Sequence, residues 1–182
     1  NNDRENIEFP SIFHIGALDW SPNQEGLFWF LDNIWPGLQK DFPELKFYVA
    51  GRNAPPNIKN IDKPNVMMLG EVEDAYEFMK SQAIMVVPLL SGSGMRIKII
   101  EGMALGKTIV STTIGTEGIE TTHGENIIVA DNPENFSNEI KLLLENFDKF
   151  EKIGNNASEF VREKYDNISI TKSLLDFYKK HL

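Results

Sequence analysis

A glycine-containing segment beside two cations and one carboxylate is the part of this sequence best suited to chemistry. Residues 91–95 follow an apolar run and open a predicted short helix. That helix carries Arg96, Lys98 and Glu101. Free backbone N–H groups and the helix dipole favour negative charge at a helix N-terminus. The set is suited to a ligand with a diphosphate at one end and hydroxyls at the other, such as a nucleotide-sugar.

Each of the three charged residues has two possible partners. The helix is apolar nearly all round, so we expect Glu101 to be buried and to need a partner. That partner is either Lys98, three residues earlier, or a pair of ribose hydroxyls, which the glycine segment favours. We expect Arg96 in the first helical turn, where a cation is disfavoured unless an anion is bound, so phosphate is favoured over solvent. For Lys98, phosphate and solvent are equally compatible with the sequence.

Other candidates lie where predicted strands end. Gly70 and Val72 close the third strand, where backbone groups could meet the edge of a base or simply end the strand. The segment that holds Thr116 follows the fifth strand and either lines the rim of a pocket or caps the strand. His14 alternates within the first strand, which favours a core histidine with its hydrogen bonds satisfied. Trp20, just past that strand, is either a core residue or a ligand contact.

Strands alternate with helical stretches, which predicts an α/β fold with a mostly parallel sheet and right-handed crossovers. Strands are predicted at residues 11–18, 45–51, 65–72, 83–90, 107–113 and 126–130. Helices are predicted at about residues 24–40, 73–82, 96–105, 132–147, 148–165 and 170–182. In the doubly wound, Rossmann-like order 3-2-1-4-5-6, helices cover both faces and ligands bind at the switch point between strands 1 and 4. The glycine segment follows strand 4, so the candidate chemistry falls where a ligand crevice is expected.

The composition argues against several classes of protein. The chain has 182 residues, of which 41% are hydrophobic and 25% charged, as in a globular domain with a substantial core. Its net charge of −9, from 18 Lys and Arg against 27 Asp and Glu, disfavours non-specific binding to nucleic acid. There is no cysteine and the three histidines lie far apart, which argues against a metal site. No apolar run approaches the ~20 residues of a membrane span, and we expect a cytoplasmic protein.

The start of the chain differs in character from the rest. Residues 1–10 are polar, and the sequence does not begin with methionine. We expect these residues to be a linker or a disordered start. Residues 11–182 are then expected to form one domain of a longer protein.

Several segments match, in order, a family of known proteins. They are FHIGALDWSPNQEG (13–26), FYVAGR (47–52), the stretch from VMMLGEV to GTEGI (66–119) and HGENIIVA (123–130). On these segments the chain resembles the C-terminal, donor-binding domain of the retaining glycosyltransferases of family 4, also called group 1, which have the two-domain GT-B architecture. The resemblance covers about residues 11–130, and the helical tail also fits.

The resemblance implies a nucleotide-diphosphate sugar in the crevice, facing a separate N-terminal acceptor domain. It implies transfer of a hexosyl group, with retention and without metal or other cofactor, to a glycan or lipid-linked acceptor in cell-surface polysaccharide biosynthesis. Peripheral association of the full-length protein with the inner face of the plasma membrane is compatible with that role. Without the acceptor domain we expect weak donor binding and no transfer, and no residue of this domain is assigned as catalytic.

The sequence departs from the family pattern at several positions. Of two family glutamates eight positions apart, the ribose-binding one corresponds to Glu101, whereas the one near the donor sugar corresponds to Ser93, which brings no charge. Two family cations on the diphosphate correspond to Ala17 and Glu25. We hypothesise that Arg96 and Lys98 replace them. The predicted donor-binding residues are Gly16, Gly70, Val72, Ser93, Gly94, Met95, Arg96, Lys98, Glu101 and Thr116, with no metal ligand.

Two alternative functions stay open on the sequence. One is a nucleotide-sugar epimerase of the non-hydrolysing UDP-N-acetylglucosamine 2-epimerase type, which shares the two-domain architecture but needs more acids and histidines in the cleft. Ser93 argues against it. The other is a catalytically idle domain that binds a partner through the crevice, which the loss of the first glutamate favours.

Overall fold

Six parallel strands form a single sheet in the computed structural model, which describes residues 7–165. The strands are β1 (Glu8–Ile15), β2 (Lys46–Ala50), β3 (Val66–Gly70), β4 (Gln82–Val87), β5 (Thr108–Ser111) and β6 (Ile128–Val129). Their order is β3-β2-β1-β4-β5-β6, and each neighbouring pair is parallel. The predicted doubly wound α/β sheet is therefore confirmed, with β1 and β4 adjacent at the switch point.

Helices pack on both faces of the sheet. They are α1 (Ser21–Asn33), α2 (Trp35–Asp41), α3 (Pro56–Lys59), α4 (Ala75–Ser81), α5 (Ile97–Ala104), α6 (Pro133–Glu145) and α7 (Phe147–Lys164). Successive residues of β1 point to opposite faces, so Ile12 packs in one core cluster with Phe30 and Phe136, from α1 and α6. Its neighbour Phe13 packs in a second cluster with Met103, from α5. All six residues of β4 are buried, as a strand covered on both faces requires.

The helix predicted at residues 24–40 is two helices, because a proline interrupts it. Pro36 has no N–H to donate to the carbonyl group four residues earlier, so the helix divides into α1 and α2 at Ile34. The apolar spacing did not reveal the break, since Leu31 and Leu38 on either side of it are equally buried.

Two central strands differ from their predicted bounds. β1 begins at Glu8, three residues earlier than predicted, so the linker predicted at residues 1–10 is too long. β4 ends at Val87, because Pro88 has no N–H with which to continue the ladder. The first six residues and the last predicted helix lie outside the described part of the chain.

The carboxyl ends of β1, β2 and β3 are joined by backbone hydrogen bonds. Gly16 N–H donates to the Ala50 carbonyl oxygen (3.2 Å), and Gly51 N–H donates to the Gly70 carbonyl oxygen (2.7 Å). Gly51 approaches β1 so closely that a Cβ there would lie 1.8 Å from the Gly16 carbonyl oxygen. Glycine at position 51 is therefore required for the backbone contact that shapes this edge of the sheet.

Glu8 joins β1 to β2 at the opposite, amino-terminal edge of the sheet. Its carboxylate accepts hydrogen bonds from Lys46 Nζ (2.9 Å) and from the Tyr48 hydroxyl (2.8 Å). Burial raises the pKa of Glu8, but the hydrogen bonds from Lys46 and Tyr48 together outweigh it, so the pKa is lowered overall. Glu8 therefore stabilises the fold above its unfolded-state pKa and loses that contribution as the pH falls through its lower folded-state pKa.

We expect Glu8→Gln to lower the free energy of unfolding at pH 7 only slightly, because its ion pair with Lys46 is partly exposed. The difference from wild type should be smaller at pH 3.5, because the stabilisation that comes from a lowered folded-state pKa begins to be lost once the pH falls below the unfolded-state pKa of about 4.3. Urea unfolding at the two pH values measures this, with the exposed Glu44 changed to glutamine as the matched control. A difference that stays constant with pH would contradict the assigned role of the charge.

We expect Gly51→Ala to destabilise the fold by about 1–3 kcal/mol, because the added methyl group collides with the Gly16 backbone. Gly37→Ala is the matched control, since a Cβ at that position in α2 meets nothing within 4 Å. The control should be neutral or stabilising by up to about 1 kcal/mol, because alanine favours a helix over glycine. Thermal or urea unfolding compares the two, and equal stabilities would show that the strand ends are free to separate.

Candidate functional site

Two adjoining cavities lie outside the carboxyl ends of the strands, at the switch point. The β3-side cavity, of about 380 Å³, is lined in part by Gly51, Arg52, Glu71 and Val72. The β4-side cavity, of about 240 Å³, is lined in part by His14, Trp20, Asn23, Met95 and Arg96. The residues that line both are Ile15, Gly16, Ala17 and Lys98. A crevice therefore lies where the strand order predicted one.

Two further cavities are larger but lie elsewhere. One of about 550 Å³ lies between α4 and α5 and is lined by Lys98 and Glu101 on the α5 side. The other, of about 510 Å³, lies at the amino-terminal edge of the sheet beside α7. Ligands of open α/β sheets bind outside the carboxyl ends of the strands. The two switch-point cavities are therefore the candidate site, although they are not the largest.

The glycine segment after β4 passes through conformations that favour glycine. Gly92 and Gly94 have φ values of +98° and +88°. Gly94 N–H donates to a carboxylate oxygen of Glu117 across 3.2 Å. The segment thus presents a backbone donor to an anion, and in this structure the anion is a side chain from the loop after β5.

Arg96 is held against its own loop with one edge of its guanidinium unpaired. It is the N-cap residue of α5, with φ −89° and ψ 90°, so the prediction that it lies in the first helical turn is wrong. Its Nη1 donates to the carbonyl oxygens of Ser93 (2.7 Å) and Gly94, and the guanidinium carbon lies 5.4 Å from the centroid of the Trp20 ring. Its Nε and Nη2 are buried and have no partner among residues 7–165. These two atoms form the edge that binds a carboxylate or phosphate group through two parallel hydrogen bonds.

Lys98 and Glu101 form an ion pair, with 2.7 Å between Nζ and Oε2. Their side chains are 42% and 45% exposed, so the prediction that Glu101 is buried is wrong. The reason is that α5 buries a single stripe, made of Ile99, Gly102 and Met103, and Glu101 lies outside it. In this structure the partner of Glu101 is Lys98, and its contact with ribose hydroxyls stays a prediction.

His14 is buried, but just one of its two ring nitrogens has a partner among the described residues. The side chain is 2% exposed, and Nδ1 donates to the Val86 carbonyl oxygen (3.1 Å). Nε2 is buried and has no partner within residues 7–165. Burial lowers the pKa of His14, although the hydrogen bond to Val86 acts in the opposite direction. The prediction of a core histidine with satisfied hydrogen bonds is therefore right in its burial and wrong for Nε2.

The remaining predicted residues divide into two groups. Gly16, Val72 and Met95 line the switch-point cavities. The Gly70 carbonyl oxygen accepts the hydrogen bond from Gly51 N–H, and the Thr116 hydroxyl donates within its own turn, to the carbonyl oxygen three residues earlier (3.0 Å). Neither Gly70 nor Thr116 lines either switch-point cavity, so the structure does not bring these two to the site.

The positions of the two expected family cations are occupied differently. Ala17 lines both cavities and has no charge. The Glu25 carboxylate accepts a hydrogen bond from Ser91 Oγ (2.6 Å), which ties α1 to the glycine segment. Ser93 is exposed. The cations that line the two cavities in the described part of the chain are Arg52, Arg96 and Lys98.

Two residues that shape the site were not among those predicted from the sequence. Asn23 Nδ2 donates to the Ala17 carbonyl oxygen (2.9 Å) and lies 2.7 Å from where a Cβ on Gly16 would be. Its buried position at the start of α1 follows from packing against β1, which the local sequence does not show. Glu117 could have been predicted from the sequence, because it is an acid between two glycines after a predicted strand, near the expected crevice.

Within residues 7–165, no three His, Asp or Glu side chains are grouped so that they could hold a metal ion. None of the helices in that range is both long and apolar enough to cross a membrane.

Comparison with known proteins identifies the family. Residues 9–146, well over half of the chain, match the family described as "Glycosyl transferases group 1". The chain belongs to this family. A Klebsiella pneumoniae relative, described as an uncharacterized 44.6 kDa protein in the cps region, is 28% identical across 94% of the chain. The match spans 47% of that relative, so the chain covers about half its length.

Solved glycosyltransferase structures share the fold of this group 1 domain. The C-terminal domain of LpcC from Francisella tularensis, described as a group 1 family protein, matches over 90% of each chain, with TM-score 0.71 and 17% identity. Anabaena HepE matches over 93% of this chain and 48% of its own, with TM-score 0.73 and 17% identity. TarM matches over 94% of this chain and 36% of its own, with TM-score 0.75 and 18% identity. The predicted fold, that of a C-terminal GT-B domain, is confirmed.

We expect the stability of the wild-type domain to fall as the pH drops below about 6.5, because buried His14 has a lowered pKa and must be charged in the unfolded state. The expected loss is about 1 kcal/mol by pH 5.5. His14→Asn should lack this part of the pH dependence, whereas His123→Asn, at a half-exposed histidine, should keep it. Unfolding free energies at pH 7.5 and 5.5 measure the difference. Identical pH dependence of wild type and His14→Asn would contradict the burial of a neutral imidazole.

Proposed function

We propose that this domain binds the nucleotide-sugar donor of a glycosyltransferase that transfers a hexosyl group to a glycan or lipid-linked acceptor. The observation that carries the proposal is the unpaired Nε and Nη2 edge of Arg96, a residue that lines the β4-side cavity. A buried guanidinium edge without a partner is costly unless an anion fills it. A diphosphate group fits both that edge and the neighbouring Gly94 N–H.

Relatives of similar fold support a nucleotide-sugar as the ligand. Anabaena HepE has been solved in complex with UDP and with UDP-glucose. A Staphylococcus aureus TarM mutant has been solved in complex with UDP. The Klebsiella pneumoniae relative is described as a protein in the cps region, which is compatible with an acceptor in cell-surface polysaccharide biosynthesis.

The two cavities suggest how the donor is divided between them. We place the base of the nucleoside in the β3-side cavity near Val72, and its ribose towards Glu101 in the cavity between α4 and α5, which shares Lys98 with the β3-side cavity. The diphosphate then lies between Gly16, which lines both cavities, and Arg96, which lines the β4-side cavity, and the transferred sugar occupies the β4-side cavity. This order follows from the residues that line each cavity, because Val72 lines the β3-side cavity, Gly16 lines both and Arg96 lines the β4-side cavity.

Binding in this position requires the ion pair between Glu101 and Lys98 to break, so that both side chains contact the ligand instead. The carboxylate would accept hydrogen bonds from the ribose hydroxyls, and the ammonium group would become free for the diphosphate. Breaking the pair costs little, about 1 kcal/mol or less, because both side chains are substantially exposed. Breaking the ion pair therefore supplies both an acceptor for the ribose and a cation for the diphosphate.

The chemistry that these residues can contribute is stabilisation of the leaving group. When the glycosidic bond to the diphosphate breaks, negative charge develops on the departing oxygen. Arg96, Lys98 and the Gly94 N–H would stabilise that charge, which is the role that a metal ion has in other phosphate sites. Retention at the anomeric carbon and independence of metal remain part of the proposal, because the resemblance to the retaining glycosyltransferases implies them.

The acceptor side of the reaction lies outside this chain. The chain covers about half the length of the relative it matches, and we propose that an N-terminal domain supplies the acceptor site. The chain alone should then bind donor and transfer nothing. Membership of the glycosyltransferase family favours transfer over epimerisation.

The test is calorimetry of the 182-residue chain with UDP and GDP. Arg96→Ala should weaken binding about 10-fold or more, because a hydrogen bond to a charged group contributes about 1.5–3 kcal/mol. The affinity of Arg96→Lys should lie between those of wild type and Arg96→Ala, because lysine lacks the planar fork of arginine. Arg162→Ala, at an exposed arginine far from the crevice, is the matched control and should bind as wild type does.

Three results would count against the proposal in different ways, two from this titration and one from a transfer assay. No binding of either nucleotide by the wild-type chain at millimolar concentration would favour the idle-module alternative. Equal affinities of Arg96→Ala and wild type would place the phosphates away from Arg96. Transfer of sugar by the chain alone would show that no second domain is needed.

A further inference from the structure

We propose that His14 Nε2 accepts a hydrogen bond from a hydroxyl group of the bound nucleotide-sugar and so contributes to the choice of donor. The inference rests on the proposed function and adds a residue to it. Nothing in the resemblance to known glycosyltransferases assigned a role to this position, which the sequence placed in the core.

The position of the ring is set by the sheet. β1 and β4 pair side by side, with Ile12 opposite Ile84 and Phe13 opposite Met85. This register brings His14 beside Val86, whose carbonyl oxygen accepts the hydrogen bond from Nδ1 at 3.1 Å. A carbonyl oxygen cannot donate, so Nδ1 carries the proton and Nε2 presents a lone pair.

Nε2 lies beside Gly16, in the wall of the β4-side cavity. Nε2 lies 3.6 Å from where a Cβ on Gly16 would be, and both His14 and Gly16 line the cavity. The side chain is 2% exposed, and Nε2 has no partner among residues 7–165. A buried acceptor in a pocket wall without a partner is unusual in native structures and indicates a group that a ligand satisfies.

The charges around the ring select the kind of partner. The residues that line the β4-side cavity include two cations, Arg96 and Lys98, and no carboxylate. Burial lowers the pKa of His14, which keeps the ring neutral. A phosphate oxygen only accepts hydrogen bonds, so it satisfies Arg96 and leaves neutral His14 without a donor. A ligand hydroxyl, which donates, satisfies Nε2.

The size of the cavity is consistent with a part of the ligand. Its volume of about 240 Å³ lies below the roughly 300 Å³ at which pockets for whole small molecules begin. Its other walls include Met85, Val87, Leu89 and Ile99, which are apolar. In such a pocket a few polar groups set orientation, and a buried acceptor rejects an analogue that lacks the matching hydroxyl. The hydroxyl belongs either to the transferred sugar or to the ribose, and the two sources can be separated by experiment.

The test uses two substitutions with opposite design. In His14→Asn, the amide nitrogen keeps the hydrogen bond to Val86, while the acceptor at the position of Nε2 is lost. In His14→Gln, the longer side chain can place its amide oxygen near the position of Nε2. Thermal unfolding confirms that each variant of the 182-residue chain folds.

Calorimetry with UDP and UDP-glucose, and with GDP and GDP-mannose as a second pair, then measures the effect. If the hydroxyl belongs to the transferred sugar, His14→Asn should weaken the nucleotide-sugar about 3- to 10-fold and leave the free nucleotide within about 2-fold. If it belongs to the ribose, both ligands should weaken alike. His14→Gln should recover part of the loss. Unchanged affinities of His14→Asn for all four ligands, in the presence of wild-type binding, would overturn the inference and leave the proposed function intact.

The protonation of the ring gives an independent readout. Nitrogen NMR of the free chain should show His14 protonated at Nδ1, and the Nε2 signal should move in the direction of a hydrogen-bonded acceptor when UDP-glucose is added. A ring protonated at Nε2 would overturn the inference even if the nucleotide binds. Failure of the wild-type chain to bind any of the four ligands would overturn the proposed function and this inference with it.

Discussion

The backbones of β1 and β2 approach each other so closely after their last residues that a side chain at Gly51 has no room. A Cβ there would lie 1.8 Å from the Gly16 carbonyl oxygen and 2.9 Å from Leu18 Cγ. Gly16 itself is crowded by Asn23. This contact sets the floor between the two switch-point cavities, because Gly16 lines both of them. This floor is made of backbone and therefore leaves room for a ligand beside the two cations, Arg96 and Lys98.

The charged groups around the crevice largely satisfy one another in this structure. Lys98 is paired with Glu101, Gly94 N–H is paired with Glu117, and Arg96 Nη1 is paired with its own loop. The first two contacts are exposed and weak, so an anion with two phosphates can replace them at low cost. Two buried groups around the crevice have no hydrogen-bond partner within residues 7–165, namely Arg96 on one edge and His14 at Nε2. They differ in kind, one a donor and the other an acceptor, which is why a ligand with both phosphates and hydroxyls suits the pair.

Much of the fold could be predicted from the sequence, because β4, which is buried on both faces, is a continuous apolar run and most strands are followed by a helix. The strand order and the location of the crevice followed from that alternation. The break at Pro36 was missed because the apolar spacing continues through it, and the early start of β1 was missed because Glu8 is polar. Glu8 is tolerated in the strand because Lys46 and Tyr48, from β2, supply its hydrogen bonds, and contacts between strands are not visible in a local pattern.

The candidate site was predicted less completely than the fold. The segment that carries Arg96 and Lys98 was placed correctly, since a glycine turn after a strand has a recognisable composition. The burial of Glu101 was not, because exposed apolar residues such as Ile97 made α5 seem covered on all sides. The free nitrogen of His14 could not have been predicted, because it depends on which carbonyl group of β4 lies opposite the ring.

The ion pair between Lys98 and Glu101 also has a consequence for the response to ionic strength. Dissolved ions screen the attraction between the domain and an anionic ligand, and they equally screen this exposed pair, which the ligand has to displace. The two effects act in opposite directions on the affinity. Binding should therefore weaken less steeply with added electrolyte than a count of the cations around the crevice would imply.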